Sequence, residues 1–472
     1  MAARPRRAFH CVNPATGAIS GGWTGADTGQ VDAAVAAARR SFDQRVWRGL
    51  PAGERAAVLH RLADLIDAQA GELADLVVAE VGSPIRLARS LQVAQPAVNF
   101  RWFAGAAVRG PLGGAEQHLP PSHGAVRSES VLLREPIGVV AAITPYNYPI
   151  NMISWKVGPA LAAGCSVVLM PSPRGLRCSI ALVRLAEKAG VPPGVLNLVA
   201  GGPSVGERLA GHRDVDMVTF TGSNAVGSRV MRLAAATTTK VVLELGGKSP
   251  NLVLPGADLA DVVPPSILRF CRNAGQGCGA TTRIVVHEDQ HDELVERARA
   301  FIAEHVPVGD PRLETTEVGP LISAEHRDRV EGYLRRAVEA GGRVLVGGGR
   351  PQGAGFFLEP TLVGGLPPDA EICQEELFAP VAALLPYRDV EEAVRIANGT
   401  RFGLNAVVWG DPEQAMLVAQ RLDSGTVAIN GGGDMRPDVP WGGSRRSGIG
   451  CEMGEDGYRE FFRVKHVQRR IT

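Results

Sequence analysis

The sequence predicts an α/β fold built around a doubly wound parallel sheet, followed by a second α/β unit. Between Ile137 and Leu245, five short apolar runs alternate with helical stretches. Such a rhythm is typical of buried parallel strands joined by crossover helices. A second alternation of this kind runs from about Asp258 to Asn430. The 472 residues also exceed what one hydrophobic core organises, so more than one domain is expected.

Apolar periodicity places the elements of the first unit. The predicted strands are Ile137–Ile143, Ser166–Met170, Val195–Val199, Asp216–Phe220 and Val241–Leu245. The predicted helices between them are Pro149–Ala163, Ser179–Ala189, Ser204–Ala210 and Ala225–Ala236. Parallel sheets of this type bind ligands at the carboxyl ends of their strands, so we expect the binding site in the turns that follow these strands.

The second unit shows the same alternation of apolar strands and helices. Its predicted strands are Arg283–Val286, Arg343–Val346, Ala406–Trp409 and Thr426–Ile429. Its predicted helices are Gln290–His305, Ala324–Ala340 and Val390–Ile396. The C-terminal segment Val464–Thr472 alternates weakly between apolar and polar residues and is predicted to form an edge strand.

The first hundred residues are interpreted as helical, because Val31–Phe42 and Glu54–Gln69 carry apolar residues at three- and four-residue spacing. Asn13–Gly17 is interpreted as a turn. Loop character prevails between Gly110 and Pro136, with an exposed strand predicted at Val126–Leu133.

Charge and hydropathy exclude several classes of protein. Lys and Arg total 50 against 49 Asp and Glu, so nothing in the charge favours nucleic acid or an anionic membrane as a partner. No apolar stretch approaches the ~20 residues that span a bilayer. The Arg-rich segment Met1–Phe9 lacks the apolar core of a secretory signal. A short transit peptide is an alternative interpretation of this segment. We expect a cytoplasmic protein.

The seven cysteines are an odd number and include no C-x-x-C pair, which argues against disulfides and against a structural metal site, so no metal is expected. Each cysteine is therefore either a small buried apolar residue, the commoner case, or a nucleophile. Cys278 differs from the others, because it lies in the polar, glycine-flanked run Asn273–Gly279. Glycines let a ligand and backbone N–H groups approach the sulfur closely.

A nucleophilic thiol needs a base within reach. Glu244 stands near the carboxyl end of the last predicted strand of the first unit, ahead of two glycines. A carboxylate is rarely buried in such a position unless it is paired or functional, so Glu244 is the candidate base.

Two turns after predicted strands are candidate binding segments. In Thr144–Pro149, two prolines fix the loop that presents Asn147, whose amide either binds an oxyanion or satisfies its own backbone in an Asx turn. Thr221–Gly227 combines a strand end with a helix start, which is a ready anion site. Gly246–Ser249 resembles a phosphate-binding loop only superficially, since Val242 stands where that motif requires glycine.

Taken together, these segments resemble the aldehyde dehydrogenase family over essentially the whole chain. Eight motifs match in order: Pro145–Pro149, Phe220–Ser223, Leu243–Lys248, Asn273–Cys278, Glu375–Pro380, Asn398–Leu404, Pro440–Gly443 and Ser447–Glu452. The resemblance implies a Rossmann-like parallel-sheet cofactor domain, an α/β catalytic domain and a small β oligomerisation hairpin. The implied bounds are 1–117 with 136–245 for the dinucleotide-binding domain, 246–440 for the catalytic domain, and 118–135 with 455–472 for the oligomerisation element.

The implied activity is NAD(P)-dependent oxidation of an aldehyde to a carboxylic acid. By the resemblance, Cys278 is the nucleophile that forms a thiohemiacetal and then a thioester, and Glu244 activates the hydrolytic water. The Asn147 amide and the Cys278 backbone N–H form the oxyanion hole, and Lys156 with Glu452 matches a proton relay behind the base.

The resemblance also implies the residues that line the two binding sites. The cofactor set is Ile143, Thr144, Pro145, Tyr146, Met170, Ser172, Pro173, Gly202, Phe220, Thr221, Gly222, Ser223, Val226, Leu245, Gly246, Glu376 and Phe378. The substrate set is Tyr148, Met152, Trp155, Gly277, Gly279, Met435 and Trp441. The second set suggests an apolar or aromatic aldehyde, with Gly277 and Gly279 leaving the pocket roomy. Arg436 nearby either binds an anionic substrate or is a solvated charge.

The chain departs from the family pattern in three places. The adenosine ribose usually meets a lysine and a glutamate, but Met170 and Pro173 stand here, which leaves NAD or NADP open with NAD slightly favoured. Arg174 or Arg177 could compensate, or either could be a surface charge. Tyr146 replaces a usual tryptophan. Cys451 replaces a usual arginine before Glu452.

Three alternative functions compete with aldehyde oxidation. An acylating enzyme that passes the acyl group to coenzyme A is disfavoured by Glu244. A cysteine hydrolase would need a histidine base, and no histidine is close to Cys278 in sequence. A non-catalytic protein of this fold is disfavoured by the full set of Cys278, Glu244 and Asn147. The expected partner is a small aldehyde, and the expected assembly is a homodimer or homotetramer.

Overall fold

A computed structural model describes residues 8–122, 124, 126–433 and 435–471. Most of the Arg-rich N-terminal segment and the last residue of the predicted C-terminal strand, Thr472, lie outside the described residues. Helices cover both faces of two large sheets, and a small three-stranded sheet joins the C-terminal strand to a hairpin. The α/β class predicted from the sequence is confirmed.

The described strands are short and are numbered in chain order. They are β1 (Ala8–Val12), β2 (Ile19–Thr24), β3 (Glu116–Ser122), β4 (Ser128–Pro136), β5 (Val139–Thr144), β6 (Ser166–Pro171), β7 (Leu196–Leu198), β8 (Met217–Thr221), β9 (Lys240–Glu244), β10 (Pro250–Val253), β11 (Arg283–His287), β12 (Arg343–Val346), β13 (Thr361–Gly364), β14 (Val381–Tyr387), β15 (Phe402–Gly403), β16 (Asn405–Trp409), β17 (Thr426–Ile429), β18 (Ser444–Arg445), β19 (Gly448–Ile449) and β20 (Phe462–Arg470).

Most helices flank the sheets, and the first five come before the strands of the first large sheet in the chain. They are α1 (Thr28–Asp43), α2 (Ala52–Ala68), α3 (Ala70–Val81), α4 (Ile85–Leu87), α5 (Gln95–Arg109), α6 (Pro149–Ala163), α7 (Leu176–Ala189), α8 (Pro203–Ala210), α9 (Asn224–Ala235), α10 (Leu259–Cys271), α11 (His291–His305), α12 (Ala324–Glu339), α13 (Glu371–Gln374), α14 (Val390–Asn398), α15 (Pro412–Ala419) and α16 (Gly454–Arg459). A π-helical segment, Ala88–Ala94, and three 3-10 turns, Pro173–Gly175, Arg272–Gly275 and Glu288–Gln290, complete the set.

The first sheet has the strand order β19-β9-β8-β5-β6-β7. All five strands predicted for it are present and run parallel to their neighbours. Their carboxyl ends lie at one edge, with Ile143 opposite Phe220 and Thr221 opposite Glu244. The strand β19 was not predicted, because two residues carry no periodicity. It pairs antiparallel with β9 and places Gly448 opposite Glu244.

Helix α6 has the predicted bounds. Pro149 occupies its first turn, where a missing N–H is harmless, and Gly164 ends it in the left-handed conformation with φ of 97°. Helix α7 begins differently, since the buried Glu80 carboxylate of α3 accepts the N–H groups of Arg177 and Cys178 over 2.8 and 2.9 Å. The start of α7 therefore carries its own anion.

The second sheet has the order β12-β13-β14-β11-β10-β16-β17 and is parallel except for β12. The four predicted strands β11, β12, β16 and β17 are confirmed, as are helices α11, α12 and α14. The prediction missed three of its strands. β10 and β13 have four residues each, too few for a period, and β14 contains Pro386, which is unusual inside a sheet.

The prediction that the first hundred residues are helical is correct only in part. Helices α1 and α2 are confirmed, but β1 and β2 precede them as an antiparallel hairpin. Its turn contains Asn13, whose side chain accepts the N–H of Ala15, so the predicted turn is confirmed. The third sheet has the order β20-β4-β3, with β3 beginning at Glu116, two residues before the predicted hairpin. The C-terminal strand forms an edge of this sheet, as predicted.

Candidate active site

The loop that carries Cys278 has a constrained backbone. After α10, Asn273 and Ala274 adopt left-handed conformations with φ of 54° and 53°, which non-glycine residues rarely occupy. At Gly275, an added Cβ would lie 2.1 Å from the backbone of Ala379, so no larger residue fits. The packing of two loops against each other thus fixes the path of the chain three residues before the cysteine.

Glycines on three sides bring other segments against Cys278. An added Cβ at Gly247 would lie 2.5 Å from the Cys278 carbonyl oxygen, so the segment after β9 packs directly on the nucleophile loop. The space beside Gly277 is taken by the Tyr148 hydroxyl at 3.3 Å, and that beside Gly279 by the Trp441 ring at 2.8 Å. The Tyr148 hydroxyl and the Trp441 ring therefore lie directly beside these two glycines.

Asn147 is held from both of its ends. Its backbone carbonyl accepts side-chain N–H groups of Gln92 at 3.0 Å and Asn273 at 2.9 Å. Its side-chain amide donates to the carbonyl of Gln276 at 2.8 Å. The amide is therefore fixed against the Cys278 loop, and neither its N–H nor its Oδ1 atom bonds to its own turn, as an Asx turn would require.

Gln276 organises this corner, and sequence reasoning assigned it no role although it lies in a matching motif. Its side-chain oxygen accepts the Tyr146 hydroxyl at 3.1 Å and the Ile322 N–H at 3.0 Å. Its amide donates to the carbonyls of Asn273 and Pro320 at 3.1 and 3.3 Å. One buried side chain thus ties the cofactor-side turn to the Cys278 loop.

Glu244 ends strand β9 and is 2% exposed. Neither carboxylate oxygen has a hydrogen-bond partner among the described residues. Burial raises the pKa of Glu244 well above its usual range, and the charge of Glu452 raises it further, while Lys156 opposes both. A buried carboxyl group without partners is costly to fold around, which favours a functional role over a structural one.

Behind Glu244 lies a fully buried ion pair. Lys156 of α6 is 0% exposed, and its ammonium contacts the Oε1 atom of Glu452. Thr219 of β8 completes the group, with its hydroxyl 3.1 Å from each of these two atoms. The structure therefore brings Glu244, Lys156 and Glu452 together, as the sequence predicted, and adds a threonine that the sequence did not single out.

Cys278 is partly accessible, yet protein surrounds its sulfur. Burial raises the pKa of its thiol to about 12, the charges of Glu244 and Glu376 act in the same direction, and the Gly279 N–H opposes them. In the free protein at neutral pH the group is a thiol, and a base must remove its proton before it can act as a nucleophile.

The carboxyl edge of the first sheet carries polar groups without partners among the described residues. The hydroxyls of Thr144 and Thr221 are buried there without hydrogen-bond partners in the described chain. Ser223 precedes α9 without capping it by its side chain, which leaves the first N–H groups of a 12-residue helix available to an anion. Gly222 and Val226 stand in the same turn, and Val226 is 48% exposed.

The opposite wall of this cleft comes from the second unit. Glu376 accepts the Gly247 N–H at 3.1 Å, and an added Cβ at Gly246 would lie 2.3 Å from its other oxygen. Burial raises the pKa of Glu376 to about 7. Phe378 has a strained φ of 58°, and its ring faces that of Tyr146 edge-on at 6.2 Å. The predicted residues Ile143, Pro145, Phe220 and Leu245 line the sheet edge between these walls.

At the far end of this edge stand Met170 and Pro173, at the two positions where the family usually has a lysine and a glutamate. Neither side chain carries a charge. Met170 is buried in the core, 3.4 Å from the position of a Cβ on Gly206. Ser172 accepts the N–H of Arg174, and Pro173 begins a 3-10 turn. Gly202 lies against the ring of Phe9 from the N-terminal hairpin. Arg174 and Arg177 are exposed.

The predicted substrate residues divide into two groups. Met152 and Trp155 are buried on α6, and the Trp155 ring meets the Trp441 ring edge-on at 6.1 Å. Tyr148 and Trp441 lie beside the glycines that flank Cys278, and Trp155 extends this aromatic surface through Trp441. Met435 is 38% exposed. Arg436 forms an exposed ion pair with Asp438 at 2.6 Å, which agrees with a solvated charge.

Within the part of the chain that the structure describes, no group of three or more His, Cys, Asp or Glu side chains could hold a metal ion. No described helix is both long and apolar enough to cross a bilayer. The site brings a thiol, a buried carboxyl group and a fixed amide close to the carboxyl edge of the first sheet. This combination is expected of an enzyme that pairs covalent cysteine chemistry with a nucleotide cofactor.

Comparison with known proteins agrees with this class. The model of the aldehyde dehydrogenase family matches residues 1–467. A betaine aldehyde dehydrogenase of Bacillus subtilis is 40% identical over 461 residues, covering 94% of this chain and 91% of the relative. A 3-succinoylsemialdehyde-pyridine dehydrogenase of a Pseudomonas species is 39% identical over 472 residues, covering 98% and 96%. An aldehyde dehydrogenase of Bacillus cereus solved with NAD⁺ superposes with a TM-score of 0.94 at 35% identity, covering 99% and 94%.

The chain belongs to the aldehyde dehydrogenase family. It is an NAD(P)-dependent oxidoreductase that converts aldehydes to carboxylic acids.

Proposed function

We propose that Cys278 is the nucleophile of this reaction and that Glu244 is its general base. The observation that carries the proposal is the pairing of a partly accessible thiol with a buried carboxyl group whose oxygens have no partners. The raised pKa of Glu244 makes its carboxylate a stronger base than that of an exposed glutamate. The contact of Gly247 with the Cys278 carbonyl supports their proximity.

The chain's residues divide the chemistry as follows. Glu244 takes the thiol proton, directly or through water, and the sulfur adds to the aldehyde carbon to give a thiohemiacetal alkoxide. The second N–H of the Asn147 amide and the Cys278 backbone N–H stabilise that alkoxide. Bound NAD(P) supplies the acceptor for the hydride that leaves this adduct. Once Glu244 has released the thiol proton to solvent, it takes a proton from water, the hydroxide adds to the thioester, and Cys278 leaves as a thiolate while the acid is released.

The cofactor is NAD or NADP, and we propose only a slight preference for NAD. Near the expected ribose position, Pro173 offers no carboxylate to repel a 2′-phosphate. However, the N–H groups that begin α7 are already occupied by Glu80 and are not free to bind that phosphate. The residues proposed to hold the dinucleotide are those of the carboxyl edge of the first sheet, together with Glu376 and Phe378.

For the substrate we propose an apolar or aromatic aldehyde. The support is the aromatic surface of Tyr148 and Trp441 beside Gly277 and Gly279, which Trp155 extends through its contact with Trp441. Arg436, paired with Asp438, leaves no free charge for a carboxylate there. The relatives named above act on unlike aldehydes, so a screen of aromatic, aliphatic and charged aldehydes is the direct measurement.

We propose that the three-stranded sheet mediates a homodimer or homotetramer. Strand β20 presents Val464 and Val467 at 64% and 46% exposure, which is unusual for valines on a free edge strand. The proposed domains are 1–117 with 136–245 for the dinucleotide, 246–440 for catalysis, and 118–135 with 455–472 for assembly. Sedimentation velocity of the protein and of a Val464→Glu, Val467→Glu variant tests the assembly.

The experiment for the proposed function compares Cys278→Ala with Cys165→Ala. Cys165 is fully buried, so its loss removes a thiol of no catalytic consequence. We expect reduced cofactor and carboxylic acid from the natural protein and from Cys165→Ala, and neither from Cys278→Ala, with cofactor binding kept in all three. Turnover by Cys278→Ala at a rate near that of the natural protein contradicts the proposal.

A further inference from the structure

The buried threonine behind the base has a defined hydrogen-bonding role. Thr219 lies in the middle of β8, opposite Val242 of β9, and is 1% exposed. Its hydroxyl lies 3.1 Å from Lys156 Nζ and 3.1 Å from Glu452 Oε1. Nothing in the local sequence marks this residue, because its partners come from α6 and from the segment before α16.

The directions of these hydrogen bonds follow from chemistry. An ammonium group can only donate and a carboxylate can only accept. The Thr219 hydroxyl therefore accepts from Lys156 and donates to Glu452 Oε1, which also contacts Lys156 directly. The Oε1 atom thus takes both donors, and Oε2 has no partner among the described residues. The hydroxyl fixes which oxygen of Glu452 faces the ammonium.

We propose that Thr219 is a positioning residue for the general base, acting by holding the Lys156–Glu452 pair in a single arrangement. The inference rests on the proposed role of Glu244. A hydroxyl that donates to Glu452 offsets part of its negative charge, and a fixed ammonium keeps its opposing charge in place. Both effects determine the electrostatic potential that the Lys156–Glu452 pair produces at the Glu244 carboxylate.

The groups that face Glu244 come from several elements. Glu452 and Lys156 act on it most strongly after burial itself, the first raising and the second lowering its pKa. The Cys278 thiol and the Cys451 thiol lie within electrostatic reach on the other sides. Removal of the Thr219 hydroxyl leaves more of the Glu452 charge uncompensated, which raises the pKa of Glu244 further.

The sign of the effect on catalysis follows. The base acts when deprotonated, so kcat rises with pH through its titration. In Thr219→Val, which keeps the shape and removes the hydroxyl, we expect the ascending limb of the kcat profile to move to higher pH. On the acid side kcat should fall about three- to tenfold, and it should recover at high pH. Thr219→Ser, which keeps the hydroxyl, should restore the natural profile.

Ser266→Ala is the matched control, since Ser266 is 2% exposed in α10 and its hydroxyl has no described partner. Its profile should not move. Cofactor titration and thermal melting identify folded variants, and Thr219→Ala against Thr219→Ser is the second pair if the valine variant does not fold. An unmoved limb in a folded variant without the hydroxyl overturns the inference, as does a serine variant that behaves like the valine one.

Two variants distinguish an error in the proposed base from an error in the proposed role of Thr219. If Glu244→Gln keeps its steady-state rate, the proposed base is wrong. If Glu244→Gln loses that rate but Thr219→Val keeps the natural profile, only the positioning role of Thr219 is wrong.

Discussion

The side-chain amide of Asn147 donates to the backbone carbonyl of Gln276, two residues before the nucleophile, over 2.8 Å. This bond uses one of the two N–H groups of the amide and fixes the direction of the other. The donor is thereby oriented before any substrate arrives, which is the condition under which a hydrogen bond stabilises developing charge most effectively.

Asn147→Ala should lower kcat about 10²- to 10³-fold, because the alkoxide loses one of its two fixed donors. Steady-state kinetics with a good substrate measure the change. Asn197→Ala is the matched control, because that amide also donates to backbone carbonyls, at 3.2 and 2.8 Å, but on β7. A loss in Asn147→Ala no larger than that in Asn197→Ala would show that the amide stabilises no charge.

Glu244→Gln should separate the two halves of the reaction. The Cys278 thiol can still lose its proton to solvent, because its pKa falls when the Glu244 charge is removed. The amide cannot take a proton from the hydrolytic water, so deacylation slows more than hydride transfer. Rapid mixing should show a burst of reduced cofactor, close to one equivalent per site, followed by a much slower steady state. Loss of the burst itself would mean that Glu244 acts mainly in activating the thiol.

The same variant should make the Cys278 thiol more acidic. Burial is the largest cause of its raised pKa, and the Glu244 charge is the next. Without that charge the thiolate forms at lower pH, so alkylation by iodoacetamide should begin at lower pH in Glu244→Gln than in the natural protein. Mass spectrometry of the Cys278 peptide follows the reaction, with the peptide of the partly exposed Cys11, whose thiol pKa does not depend on Glu244, as internal reference. An unchanged alkylation profile would show that Glu244 does not face the sulfur.

Pro173→Glu should restore a carboxylate near the adenosine ribose. We expect the Michaelis constant for NADP to rise on the order of tenfold, a repulsion of about 1.4 kcal/mol, with a smaller change for NAD. Pro173→Gln, equal in size and uncharged, is the control for the lost proline. Equal changes for both cofactors would place position 173 away from the 2′ position. A thousandfold preference in the natural protein would contradict the weak discrimination proposed here.

The sequence predicted the parts of this molecule whose signal is local. Strand β5 and helix α6 follow from a buried apolar run and from the proline and glycine that bound the helix. Strand β19 has no such signal, because its place is set by pairing with β9 alone. At the site, Cys278 and Glu244 stand in short motifs, whereas Thr219 acquires its role only through Glu452, 233 residues later in the chain. No pattern along the chain reports such a meeting.

The pairing of Gly448 with Glu244 also orders events during synthesis. Strand β9 can join the parallel sheet as soon as its own residues leave the ribosome, yet its outer edge stays open until β19 emerges. Because domains generally fold as they are made, the growing chain carries its base on an unprotected edge while the whole second unit is translated. The sheet that carries Glu244 is therefore completed only when Gly448 and Ile449 have been made.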